Sequence, residues 1–135
     1  MEYQPLSLQE EQIGKDIVHA AYKVHKTLGP GLLERVYEVC MAYELQKMGH
    51  KVVRQADIPF FYDGIVFDEG LRMDLLVDDL VIVELKAVEL VNNLWFAQIV
   101  SHLKLTSLKL GYLINFNVSV IREGIKRFRN SELCH

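Results

Sequence analysis

Cysteine is scarce. Cys40 and Cys134 lie far apart and form no CxxC pair, so neither a zinc site nor a disulfide framework is indicated. No apolar run approaches the roughly 20 residues that span a bilayer, and no membrane segment is expected. The opening residues, MEYQPLSLQEEQ, lack the basic and then apolar course of a secretory leader, so the cytoplasm is the expected address. In that compartment the sequon Asn117-Val118-Ser119 carries no meaning. Repeats, low-complexity tracts and linkers are also missing, which makes residues 1–135 one expected domain. Nor is there an excess of positive charge. A net charge of −3 argues against a general nucleic-acid coat protein, which would be basic overall.

What is present suits a folded globular chain: 50% hydrophobic residues with 24% charged ones. The charge is uneven. Residues 1–56 hold seven acids and seven bases, residues 57–90 nine acids and two bases, and residues 91–135 two acids and six bases. An acidic middle before a basic tail suits a cation site beside a surface that tolerates phosphates. Solvated faces distributed by chance would give the same counts.

Ser7 and Glu10 form a capping-box pattern, and Ile13, Ile17, Ala20, Ala21, Val24 and Leu28 recur at helical spacing, so residues 8–28 read as an amphipathic helix. Gly29-Pro30-Gly31 ends it. A second helix is expected from about Leu32 to Met48, with Leu33, Val36, Tyr37, Cys40 and Met41 inward. The period then changes. Lys51–Gln55, Pro59–Tyr62, Ile65–Phe67, Leu71–Val77 and Leu80–Val88 read as strand pieces, with turns at Asp63-Gly64 and Asp78-Asp79. Asn92 or Asn93 can cap a helix from Leu94 to Thr106, and Gly111–Phe116 reads as a buried strand. The segment around Ile121, Ile125 and Phe128 is ambiguous between a short helix and an edge strand. Helices and strands in this order predict an α/β domain with a mixed sheet.

The most apolar strand carries a flaw. In VDDLVIVELKAV, residues 77–88, Glu84 and Lys86 share one face of an otherwise apolar element. If the strands on either side of Asp78-Asp79 pair antiparallel, Asp74 and Glu84 fall at similar distances from the turn. Two converging carboxylates with Lys86 beside them suit a hard divalent ion, magnesium or manganese. A plain salt bridge at a sheet end is the competing reading, but it would not need so apolar a setting.

RMDLLVDDLVIVELKAV resembles the D…(D/E)xK core of the PD-(D/E)XK nuclease superfamily. In GPGLLERVYE, Gly31, Glu34 and Tyr37 spell GxxExxY, the signature of a family of small, mostly bacterial proteins within that superfamily. AQIVSHLKLT with Gln98, GYLINFN and GIKRF agree in order and spacing, from about residue 8 to residue 130. The resemblance implies a restriction-endonuclease-like fold, a mixed central sheet flanked by helices, with the site where two strands diverge. It implies Asp74, Glu84 and the Leu85 carbonyl as ligands of Mg2+ or Mn2+, and Glu34 as a helical acid reaching the metal directly or through water. Lys86 would orient or deprotonate the attacking water, and Gln98 would contact substrate or the metal's water. The implied activity is phosphodiester hydrolysis in DNA or RNA. The alternative is a non-catalytic module that binds nucleic acid or protein on the same fold.

His102 stands where the family pattern leads one to expect a tyrosine, one helical turn beyond Gln98. His19, His25 and His50 show no ligand spacing and read as surface residues. Tyr37 reads as packing that holds the Glu34 rotamer. A chain of 135 residues has little room for an added specificity domain, so a homodimer or a partner protein is expected to add phosphate contacts.

Overall fold

A computed structural model describes residues 5–130. The first helix, α1 (Leu8–Leu28), begins at the capping box: the Glu10 N–H donates to Ser7 Oγ at 3.0 Å, and the Ser7 N–H donates to Glu10 Oε1 at 2.8 Å. Ile13, Ile17, Ala20, Ala21 and Val24 face inward, as their spacing predicts. The second helix, α2 (Glu34–Lys47), is shorter than expected and turned differently. Tyr37, Glu38, Met41, Ala42 and Leu45 are buried, while Leu33 and Val36 are exposed and Cys40 is half-buried. The stripe is displaced because Glu38 has polar partners inside, described below.

Five strands follow in a single sheet: β1 (Val52–Tyr62), β2 (Ile65–Val77), β3 (Val81–Lys86), β4 (Leu110–Asn115) and β5 (Ile125–Arg129). Their spatial order equals their sequence order, and only β3 and β4 run parallel. That parallel pair needs a crossover, which α3 (Asn93–Thr106) supplies, capped by Asn92 Oδ1 accepting the Leu94 N–H. The strand pieces before and after Asp63-Gly64 join into one long hairpin, with a register shift between Ile58 and Phe60 at Pro59. The ambiguous C-terminal segment holds both candidates, a four-residue helix α4 (Ile121–Gly124) running directly into β5. The sheet is thus mixed and flanked by helices, as expected.

Two cores sandwich it. On one side α1 and α2 pack Ile17, Tyr37, Met41 and Leu45 against Val77, Val83, Leu85 and Ile114. On the other, α3 packs Ile99 and Leu103 against Met73, Ile82 and Leu113. Gly111 permits that approach, since a Cβ there would lie 2.9 Å from Ile82 Cγ1 and 3.3 Å from Ile99 Cδ1. Among the described residues, no helix is long and apolar enough to cross a membrane.

His50 is not the loose surface residue its sequence context suggests. It ties three elements together: Nε2 meets Asp16 of α1 at 2.7 Å and Nδ1 meets Asp78 of the β2–β3 turn at 2.6 Å. Burial pulls the imidazole pKa down, but the hydrogen bonds to Asp78 and Asp16 outweigh it, and the net shift is upward from 6.5. A histidine raised in this way contributes its full stability below its unfolded pKa and loses it as pH rises through the folded value. His50→Gln should therefore cost about 1–2 kcal/mol at pH 6 and clearly less at pH 9. Urea unfolding at both values checks this; an equal loss would mean that the imidazolium form adds nothing.

Candidate active site

The ladder between β2 and β3 ends at Leu75↔Val83, although β3 stays paired with β4 as far as Lys86↔Asn115. The two strands diverge just beyond. Asp74 and Glu84 would form the next pair, and their side chains occupy the opening instead. Glu84 Oε1 accepts the Asp74 N–H at 3.0 Å, and Asp74 Oδ2 accepts the Leu85 N–H at 2.7 Å. These bonds satisfy two backbone donors that the broken ladder would leave unpaired. Within a strand, the N–H and C=O of one residue leave on the same edge, so the Leu85 carbonyl points toward the same fork.

The exchange leaves Asp74 Oδ1 and Glu84 Oε2 for other partners. Burial foremost, then the charge of Asp74, push Glu84 up to about 7, against the opposing Asp74 N–H and Lys86 ammonium. Asp74 is also raised, by burial above all and by Glu38, with the Leu85 N–H and Gln55 opposing. The charge of Asp74 is thus one of the causes that keep Glu84 protonated to higher pH. Two repelling, partly desolvated carboxylates beside a backbone carbonyl make an all-oxygen donor set that fits a hard divalent cation and not a thiophilic one.

Lys86 extends two residues beyond Glu84, on the α3 side of the sheet. Its Nζ lies 4.6 Å from the centroid of the Trp95 ring. Lys86, Glu84, Gln98, His102, Trp95 and Arg72 line one cavity of about 180 Å³. His102 therefore faces the site. Its Nδ1 is buried with no hydrogen-bond partner among the described residues, and burial lowers its pKa, so it presents a neutral ring. Backbone beyond Lys86 is held by buried Asn115, whose side chain binds the Val88 N–H and C=O.

Glu34 opens α2, where the helix dipole favours an acid. It lies in a different depression, shared with Glu38, Arg54 and Gln55. Burial foremost, then Asp74 and Glu38, raise its pKa, while Lys86 lowers it, so it feels the charges at the fork. It does not close on them: among the described residues no three His, Cys, Asp or Glu side chains stand close enough to hold a metal ion. Tyr37 is fully buried, as a packing residue should be, and its hydroxyl also closes the preceding turn. Its hydroxyl donates to the Gly29 carbonyl at 2.6 Å and accepts the Leu32 N–H at 3.1 Å, while its ring stacks on Phe116 at 4.5 Å.

Sequence reasoning missed Glu38, Gln55, Trp95 and Arg72. Glu38 had a signal, four residues after Glu34 and so on the same helix face. Trp95 had another, as the single tryptophan of the chain, one turn before Gln98. Gln55 and Arg72 had none, because long-range pairing brings them in.

A carboxyl whose folded pKa exceeds its unfolded one penalises the fold once ionised. The penalty is absent below about 4.5 and complete above about 7 for Glu84. In chelator, Glu84→Gln should raise the melting temperature by about 5 °C at pH 8 and by little at pH 4.5. Thermal melts at both pH values test it, and equal shifts would contradict the assignment.

A family model described as the PD-(D/E)XK nuclease superfamily matches residues 11–128. No curated protein and no solved structure matches the chain.

Proposed function

The chain belongs to the PD-(D/E)XK nuclease superfamily, and from that premise we propose that it is a Mg2+-dependent nuclease of the GxxExxY type, acting as one domain in the cytoplasm. A nucleic-acid substrate follows from the superfamily; hydrolysis by this chain is the proposal. One observation carries it: two half-buried carboxylates, Asp74 and Glu84, each accept a backbone N–H from the opposite strand across the β2–β3 fork, with Lys86 two residues on.

Asp74, Glu84 and the Leu85 carbonyl would hold Mg2+ or Mn2+, with Glu34 reaching it through water. When bound, the cation would polarise a phosphodiester oxygen and lower the pKa of a water. Lys86 supplies a positive charge for the pentavalent phosphorus and orients or deprotonates the attacking water. Gln98, at the rim of the Lys86 cavity, contacts the substrate or that water. A homodimer would double the phosphate contacts of a small domain. The second reading, a binding module without turnover, draws on the net charge of −3 and on the lack of a three-acid cluster among the described residues.

Cleavage assays on plasmid, single-stranded DNA and RNA with Mg2+ or Mn2+, against chelator controls, separate the two readings. Lys86→Ala should lower turnover at least about 100-fold while Mn2+ affinity, read by calorimetry, stays within about twofold. Glu84→Ala should lose both. A Lys86→Ala variant as active as the wild type would remove the lysine from the mechanism. Glu34→Gln should weaken Mn2+ binding several-fold and raise the melting temperature in chelator, because one repelling charge is gone. Unchanged affinity with a lower melting temperature would make Glu34 a helix-end acid only.

A further inference from the structure

Gln55 stands at a second break in the sheet, on the far side of Asp74 from the fork. Strands β1 and β2 pair residue for residue from Val52↔Val77 to Arg54↔Leu75, and again from Ala56↔Met73. The pair between them, Gln55 with Asp74, is missing from the ladder. Gln55 holds a φ of 50°, in the left-handed region that glycine enters freely and a residue with a Cβ does not. Nothing about a strand interior asks for a strained glutamine. Strain of this kind persists where surrounding contacts over-determine it.

Those contacts are specific. The Gln55 amide nitrogen donates to Asp74 Oδ1 at 3.3 Å and to Glu38 Oε1 at 2.5 Å. Glu38 is only 5% exposed, and its other oxygen accepts from Arg54 Nε at 3.0 Å. A chain of hydrogen bonds therefore runs from α2 through Gln55 to Asp74 and on to the Leu85 N–H. Both oxygens of Asp74 are engaged, Oδ1 by Gln55 and Oδ2 by Leu85. With two N–H groups, one amide can bridge two carboxylates that would otherwise repel. A carboxylate in place of the amide could not.

We propose that Gln55 is a positioning residue for Asp74: its amide, anchored by Glu38, fixes the plane of the Asp74 carboxylate at the β2–β3 fork. The consequence for metal binding rests on the nuclease reading, whereas the placement of Asp74 does not. A ligand carboxylate held by a second group keeps its orientation, and loss of that group typically lowers metal affinity about tenfold or more.

Two variants test this in the full chain. Gln55→Gly removes the amide and relieves the backbone, so its melting temperature in chelator should equal or exceed that of the wild type. Gln55→Asn tolerates the same φ but is one methylene short of its partners. In both, amide hydrogen exchange without metal should quicken several-fold at Leu85, whose N–H depends on Asp74, and stay unchanged at Ile82 and Val83. Mn2+ affinity should fall about tenfold. Wild-type protection of Leu85 in both variants would overturn the proposal, as would undiminished Mn2+ affinity in variants of a wild type that binds the ion. If the wild type binds no Mn2+ while Leu85 still responds to Gln55, the positioning role stands and the metal-dependent reading falls.

Discussion

The parting of β2 from β3 is the constraint around which the site is arranged. A strand held on one edge by β4 and released on the other exposes backbone donors inside a protein, where each unpaired group is costly. Asp74 and Glu84 fill that gap with their own oxygens, which answers why acids occupy so apolar a strand. The same arrangement leaves them desolvated and mutually repelling, Glu84 most of all. A stable fold with a poised pair of carboxylates follows from a single geometric event, the end of a ladder at Leu75↔Val83.

The two faces of the sheet then divide the work. On the α2 side, Tyr37 closes the Gly-Pro-Gly turn and stacks on Phe116, so the start of α2, with Glu34, is registered against the end of β4. Glu38, Arg54 and Gln55 lie on that side too. On the α3 side, Lys86 rests over Trp95, with Gln98 and His102 around the same cavity. Asp74 meets the α2 group through Gln55 and binds the backbone of β3 at Leu85, the residue between Glu84 and Lys86. Buried Asn115 and the His50 staple keep the connecting segments where these contacts need them.

Much of this could be read from residue patterns. The bounds of α1, an asparagine cap for α3 at Asn92 or Asn93 and the turns at Asp63-Gly64 and Asp78-Asp79 rest on local chemistry, and the structure has them there, with Asn92 as the cap. Hydrophobicity alone misplaces the inward face of α2. Exposed Leu33 and Val36 satisfied the period, while the buried stripe includes Glu38, whose charge is met by Arg54 and Gln55. The residue pattern divides the long β1–β2 hairpin into pieces because Gln55 and Pro59 interrupt the alternation without ending the strands. Glu34, which the resemblance brings to the metal directly or through water, lines a depression with Glu38, Arg54 and Gln55 beside the Lys86 cavity and not within it.

The sequence by itself determined the α/β class, the elements with strong local signals, and the grouping of Asp74, Glu84 and Lys86 around one tight turn. Those features depend on residues close along the chain, whose spacing sets which face they share. Tertiary structure alone decided that Glu38 is buried, that Gln55 reaches Asp74, that His50 spans two aspartates and that Trp95 lies beneath Lys86. Each of these needs partners from different elements, and no local period encodes where a ladder breaks or which side chain will close the gap.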